Sequence, residues 1–276
     1  MNAHLTRRLV VNADDFGLSP GTNTAVIQAH REGILTTASL MTNEPGTAEA
    51  VSLARHNPAL GVGLHLTLLC GHAALRPERI PGLVNSRGEL SSNPAAAGCR
   101  YFFFRQLRAQ LRDEIHEQFR RFRETSLPLD HVNAHLHMHL HPVIFGILMR
   151  DAAELKIQRM RLTREPLRIS LRTSSGRWLY RLSHAAIFGS LAALSRNRLR
   201  RRGIHHTGKV FGLLQNAAVD ESYILRLLPE LPPGDSELYS HPSLDEFRPE
   251  LDALLSPRVR GEVDRLGIQL IRYQDL

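Results

Sequence analysis

An α/β fold, with a parallel sheet closed or nearly closed into a (β/α) barrel, is what this 276-residue sequence predicts. Three observations carry the prediction. Segments of strand and helix character alternate from end to end. With one exception the strands are short apolar runs rather than in–out alternations, the pattern of a parallel sheet covered by helices. About seven strand–helix pairs can be counted, which favours closure over an open doubly wound sheet. After the first strand, "NADDFGLSPG" lacks the spacing of a glycine-rich nucleotide fingerprint.

Element by element, "RRLVVNADDFG" reads as a short buried strand, Leu9 to Val11, running into a polar turn. "SPGTNTAVIQAHREGI" follows as a helix with a Ser-Pro-Gly start and a stop at Gly33. "LTTASLMTN" is a second strand, "TAEAVSLARHN" a second helix and "ALGVGLHLTLL" a third strand. Residues 70–98, rich in Gly, Pro and Ser, read as a long loop. "FFFRQLRAQLRDEIHEQFRRFRETS" is a long amphipathic helix that delivers the exceptional strand. Helix 143–155, strand "RMRLTRE" and a basic segment come next. Strand "KVFGLL", helix "ESYILRLLPEL", strand "SELYSHP", helix "PRVRGEVDRLG" and a closing strand "IQLIRY" complete the chain. Neither an internal repeat nor a clear linker interrupts this order. The expectation is one domain, 1–276, carrying an insertion at about 166–208.

The exceptional strand is "DHVNAHLHMHLHP", Asp130 to Pro142, which holds five of the fifteen histidines. His131, Asn133, His135, His137, His139 and His141 alternate with Val132, Ala134, Leu136, Met138 and Leu140. Strict alternation predicts extended backbone with the imidazoles on one face. Same-face neighbours on a strand lie about 6.6 Å apart, and a metal–imidazole bond is about 2 Å. One ion can therefore be reached by one or two of these histidines. The roles of His137, His139 and His141 stay open at this point.

Composition sets outer limits. With 42% hydrophobic residues the chain can bury a full core. The three-residue apolar run after Arg7 and Arg8 is too short for a secretory leader, and no window reaches membrane-spanning length. Cys70 and Cys99 are too few for a disulfide framework. A cytoplasmic protein is expected. Charge is uneven: Arg159 to Lys209 holds thirteen Arg/Lys against Glu165 alone, a local +12 that leaves −4 for the remainder of a chain whose total is +8. Such a patch suits an anionic partner. Within it, residues 177–203 have arginine flanks, Trp178 and Tyr180, and an apolar centre from Ala185 to Leu194. That arrangement suits either a helix lying on a membrane surface or an ordinary helix packed on the barrel. Nucleic acid ranks third, because aromatics are few and no binding motif accompanies the arginines; no nucleic-acid partner is expected.

In a barrel, chemistry collects at the C-terminal strand ends. Those ends carry Asp14 and Asp15, then His65, then His135 and its neighbours, then His241. A carboxylate with imidazoles from four strand ends suits a divalent metal beside an acid/base pair. Taken singly, the Asp pair could cap a turn, His65 could be a satisfied structural histidine, and His241 could be a turn residue before Pro242.

"VVNADDFGLSPGTN", "GVGLHLTL", "HVNAHLHMHLHP" and "ELYSHPS" together resemble the diagnostic segments of the YdjC-like carbohydrate deacetylases. The likeness covers nearly the whole chain apart from the basic segment. It implies a deformed (β/α) barrel, a bound divalent cation (Mg or Zn) and removal of N-acetyl groups from amino sugars. Carried over by position, it implies Asp15, His65 and His135 as metal ligands, Asp14 as catalytic base and His241 as catalytic acid. One departure is visible: Leu136 stands where the family often has a second consecutive histidine. The layout is similar to family members associated with hopanoid biosynthesis, which implies an N-acetylglucosaminyl hopanoid as substrate and a peripheral position at the inner face of the cytoplasmic membrane. Rival readings are a deacetylase of soluble chito-oligosaccharides and a non-catalytic metal- or nucleic-acid-binding protein. Homodimerisation is left open.

Overall fold

The computed structural model describes residues 6–174, 176–215 and 218–276. Met1–Leu5, on which the leader expectation bears, and Ser175 in the basic segment lie outside the described residues.

In chain order the elements are β1 (Arg7–Phe16), α1 (Pro20–Glu32), β2 (Thr37–Leu40), α2 (Thr47–Arg55), β3 (Gly61–Leu66), α3 (Pro94–Phe103), α4 (Leu107–Glu124), β4 (Val132–Ala134) and α5 (Pro142–Asp151). They continue with α6 (Leu167–Thr173), α7 (Trp178–Arg201), β5 (Lys209–Phe211), α8 (Glu221–Leu227), β6 (Gly234–Ser240), α9 (Arg248–Leu255), α10 (Pro257–Arg265) and β7 (Gln269–Ile271). All strand pairs are parallel, in the order β4-β3-β2-β1-β6-β5, with β7 against Arg8–Val10 of β1. The sheet curls into a barrel. Its seam is closed by the extended segment 158–164: Val132 N donates to the Arg159 carbonyl at 3.0 Å, and Val210 N to the Arg164 carbonyl at 3.1 Å. The stretch expected as strand "RMRLTRE" is thus a bridging segment held by isolated pairings rather than a ladder.

The histidine stretch corrects its expectation. Only Val132–Ala134 is strand; His135–Leu140 winds into a 3₁₀ turn, with Leu136 (φ 48°) and His137 (φ 58°) in the left-handed region. Alternation failed because the chain must leave the sheet at His135 to cover the end of the barrel, and two consecutive left-handed residues make that corner. Conformations of this kind cost about 1–3 kcal/mol each and persist where tertiary contacts hold them. Here the holding contact is His137 Nε2 to the Tyr239 hydroxyl, 2.9 Å. Two shorter corrections follow. The loop expected over 70–98 ends earlier, at α3, whose start is capped by Asn93 (Ala96 N to Asn93 Oδ1, 3.0 Å). The helix expected from Phe102 begins at Leu107, and α9 is a further helix that the sequence pattern does not predict.

Apolar packing lies mainly between sheet and helices, with Leu9, Phe16, Leu64, Phe119, Leu148 and Leu238 among the fully buried residues. The inside of the barrel is polar. Asn12, Ser39, His131, Asn133, Arg161 and Glu237 are each at most 1% exposed, and Arg161 is the largest fully buried side chain. Residues 166–208 form α6, α7 and their connections; α7 buries only Arg181, Ala192, Ser195 and Leu199 of its 24 residues.

Candidate active site

Two backbone devices at the end of β1 bring both aspartates to one place. Adjacent residues of a regular strand point to opposite faces. Between Ala13 and Phe16 the register with β2 shifts, and Asp15 sits at φ 61°. This bulge turns Asp15 toward the same cleft as Asp14. Gly17 follows at φ 96°, where a Cβ would meet the Met41 carbonyl at 2.9 Å, so the tight exit needs glycine. Ser19 then caps α1 through Thr22 N, so neither aspartate is needed as a cap.

Asp15, His65 and His135 offer ligand atoms within 4.8 Å of one another. His135 Nδ1 lies 2.9 Å and His65 Nε2 3.1 Å from the same Asp15 oxygen. The tautomer of His65 follows from its other neighbour. Asn133 Nδ2 donates to Asp14 (3.0 Å) and Ser39 (2.8 Å), so Asn133 presents its Oδ1 to His65 Nδ1 at 2.7 Å. Nδ1 therefore carries a proton, and in the neutral ring Nε2 is a bare lone pair. That atom is buried without a hydrogen-bond partner and faces a carboxylate oxygen. Two electron-pair donors facing each other in a buried site suit a cation between them. The three residues fit a divalent metal, with Asn133 fixing the ring orientation of His65 as such sites require.

Asp14 is built into the floor. Arg161 grips it bidentately, Nη1 to Oδ2 at 2.7 Å and Nη2 to Oδ1 at 2.9 Å, and Asn12 adds a bond to Oδ1 at 2.8 Å. Burial alone would raise the Asp14 pKa, but the charge of Arg161 and its paired hydrogen bonds outweigh it and hold the carboxyl well below the usual range. Arg161 in turn binds Glu237 (Nε to Oε1, 2.9 Å), and Glu237 accepts from Tyr273. The Arg161 guanidinium also lies 4.5 Å from the Tyr239 ring centroid. Neither Arg161 nor Glu237 was singled out from the sequence. The available signal was a charged residue inside each apolar strand-like run, "MRL" and "SELY".

His241 follows β6 and lines the same cleft as the four residues above, its Nδ1 buried without a hydrogen-bond partner and 3.9 Å from Glu250. All five residues expected at the site are thus brought together. The remaining histidines of the turn have separate partners. His137 binds Tyr239 and faces the cleft. His139 Nε2 lies 3.0 Å from the Arg161 carbonyl, and His141 Nε2 3.1 Å from that of Gly98. Burial keeps His139 neutral, with its pKa down to about 3. The cleft holds about 580 Å³. The rest of its lining comes from Tyr180, His184 and Phe188 of α7 with Leu136, Leu213 and Phe247.

The model of the YdjC-like protein family matches residues 8–265. The chain belongs to this family. A "Chitooligosaccharide deacetylase" from Serratia marcescens is 30% identical over 99% of this chain and 100% of its own length. A "Carbohydrate deacetylase" from Brevibacillus brevis is 37% identical over 150 residues, 54% of this chain and 57% of that protein. The second such relative, from Geobacillus stearothermophilus, is matched over 61% of its length, so the chain spans under two thirds of these two. Among solved structures, one from Enterococcus faecalis V583, described as a cellobiose-phosphate cleavage protein, superposes with TM-score 0.76 over 98% of both chains at 21% identity. That likeness establishes the shared barrel-like fold.

Proposed function

We propose that this YdjC-like protein is a metal-dependent hydrolase that removes the acetyl group from an N-acetylated amino sugar. The single observation that carries the reading is the bare Nε2 of His65, aimed with His135 at Asp15 immediately beside the Arg161-held carboxylate of Asp14. Asp15, His65 and His135 would hold the ion. Two imidazoles with one carboxylate favour zinc over magnesium on ligand softness. A divalent ion supplies Lewis acidity there, acidifying a water and polarising an acyl oxygen.

The chain's own groups divide the remaining work. Asp14 stays ionised across the physiological range, and its Oδ2 receives one donor only, leaving a lone pair to accept a proton from water as it adds to the acetyl carbon. Arg161 fixes the direction of that lone pair. When the carbon–nitrogen bond breaks, the departing amine takes a proton, and His241, in the lining of the same cleft, would give it. Acetate and the free amino sugar are the products.

For the acceptor, the cleft supports a lipid-linked sugar, with an N-acetylglucosaminyl hopanoid as the working candidate. Besides its carboxylates and imidazoles, the cleft is lined by aromatic and aliphatic side chains, several of them contributed by α7. A soluble chito-oligosaccharide is the second reading, favoured by the full-length match to the Serratia protein. Acetate release from N-acetylglucosaminyl lipids and chito-oligosaccharides, with and without chelator, tests both. No release from either set would overturn the hydrolase reading, and release only from the soluble set would overturn the lipid acceptor.

A further inference from the structure

Asp130 and His131 open the histidine-rich stretch, yet the reaction proposed above uses neither. Both are buried inside the barrel, 2% and 1% exposed. Strand β3 makes room for them. A Cβ on Gly61 would meet Asp130 Cγ at 2.9 Å, and a Cβ on Gly63 would meet the His131 ring at 2.5 Å. Gly61, Gly63 and His65 occupy alternate positions of β3 and so share its inward face. Two inward positions are therefore left without side chains where the pair is seated, although glycine weakens a strand.

Counting donors fixes the direction of the bonds that join this pair to the site. Asn12 and Asn133 each donate from Nδ2 to Asp14, and each donates again to Ser39 Oγ, at 3.0 and 2.8 Å. Both lone pairs of Ser39 are then filled. Its hydroxyl proton goes to His131 Nε2 at 2.9 Å rather than to Asn12 Oδ1 at 3.4 Å. His131 accordingly carries its own proton on Nδ1 and donates it to Asp130 Oδ2 at 2.9 Å. At the other end, His65 Nδ1 donates to Asn133 Oδ1 at 2.7 Å. Four bonds thus run head to tail, from His65 through Asn133, Ser39 and His131 to Asp130. The segment after β7 holds the far end: Gln274 N donates to Asp130 Oδ1 at 3.0 Å, and the Tyr273 ring stacks on His131 at 4.4 Å.

We propose that Asp130 and His131 are positioning residues for His65, the Asp130 carboxylate fixing the tautomer and strengthening the basicity of that ligand through His131, Ser39 and Asn133. A metal-bound imidazole donates its second N–H to a carboxylate, a carbonyl or water; here the carboxylate stands three groups back. Aligned hydrogen bonds in a buried network polarise one another, so each acceptor along the chain leaves more electron density on His65 Nε2. The inference rests on the reading that Asp15, His65 and His135 hold a divalent ion.

Asp130→Asn tests it. The Gln274 amide takes the new side-chain oxygen, which turns an NH2 group toward His131 Nδ1. His131 must then move its proton to Nε2, and Ser39 can accept it only by releasing an asparagine. Zinc binding to the full-length protein is measured by competition with a chelator. Outer partners of a metal ligand are worth about 10–100-fold in affinity, and at this greater remove Asp130→Asn should weaken zinc binding by about three- to tenfold. Ser39→Ala cuts the same chain in the middle, so the double variant should bind no more weakly than the weaker single one. Heteronuclear magnetic resonance of metal-free, histidine-labelled protein should place the His131 proton on Nδ1 in the parent and on Nε2 in Asp130→Asn. Cooperative denaturant unfolding confirms that the variants fold. A merely structural role would lower stability and leave tautomer and zinc affinity unchanged. Parental zinc affinity in Asp130→Asn, or effects that multiply in the double variant, overturns the inference and leaves the metal site standing. A parent with the His131 proton on Nε2 overturns it without any variant. A parent that binds no zinc overturns both this inference and the reading beneath it.

Discussion

The floor of the cleft and its α7 wall are built by opposite rules. On the floor, Asp14, Arg161, Glu237, Asn12, Asn133 and Ser39 are buried and bonded to one another, so each polar side chain has its direction fixed by its neighbours. In the wall, Tyr180, His184 and Phe188 come from a helix that buries four of its residues and exposes much of the rest. His184 stacks on Tyr180 at 3.7 Å, and Phe188 meets His137 edge-on at 5.3 Å. The floor can hold charges at fixed distances; the wall can change shape or partner at small cost. Reaction chemistry is thereby separated from acceptor choice, and substitutions in the two regions should fail in different ways.

The largest effect is expected at Asp14. Asp14→Asn keeps the side chain's size but removes the proton-accepting oxygen, and turnover should fall by about 10²–10⁴-fold. Its metal content, measured by elemental analysis, should stay near that of the parent. His135→Ala should lose metal and turnover together. Hydrolysis by Asp14→Asn within about tenfold of the parent would refute its role as base.

Next comes the floor's scaffold. Arg161→Met leaves the buried carboxylates of Asp14 and Glu237 facing each other without their shared cation. Breaking a buried pair in this way costs about 3–5 kcal/mol. Denaturant unfolding of the metal-free protein measures it, and a loss below about 1 kcal/mol would show that the network is not held together by charge.

These two predictions also mark the limits of what the sequence could disclose. The order of strands and helices was readable because short apolar runs and capping residues, such as Ser19 before Pro20 and Gly33 after Glu32, are local signals. Asp14, Asp15, His65, His135 and His241 were readable because each stands at the end of an apolar run, where a parallel barrel concentrates its chemistry. The partner of Asp14 was not. Arg161 and Glu237 are separated by 76 positions, and Arg161 meets Asp14 across 147. No periodicity encodes a pairing of that kind. The turn at Leu136–His137 was misread because its left-handed backbone is imposed by tertiary contacts, while the alternation "HVNAHLHMHLH" obeys the period of a strand.

A third test lies behind the wall. Burial pushes the Glu165 pKa up to about 8, against three backbone N–H groups, those of Leu214, Gly212 and Leu213, that favour its charged form. The folded pKa thus exceeds the unfolded value, so the native state binds the extra proton. The stabilisation is complete below the unfolded pKa of about 4.3 and is lost as pH rises through about 8. Glu165→Gln keeps an oxygen for the Leu214 amide and cannot ionise. It should flatten the decline and be more stable than the parent by about 2 kcal/mol at pH 9. Parallel stability curves for parent and variant between pH 5 and pH 9, taken as about the range where the difference should open, would remove this group from the account.

The smallest expected effect is the one that bears most directly on the division between floor and wall. Phe188 is half-buried, touching His137 on the cleft side and the Val210–Leu213–Leu214 cluster behind. Phe188→Ala should cost about 1 kcal/mol of stability, less than a fully buried phenylalanine, because part of the ring is already in water. If the wall receives an apolar aglycone, KM for an N-acetylglucosaminyl lipid should rise by about three- to tenfold with kcat nearly unchanged, the signature of binding lost equally from ground and transition states. The same variant should treat a soluble chito-oligosaccharide as the parent does, since that acceptor has no apolar tail to place against the ring. An equal rise in KM for both acceptors would mean that Phe188 grips the sugar itself. A fall in kcat for both would mean that the wall, through His137 and the strained turn it steadies, belongs to the floor's machinery after all.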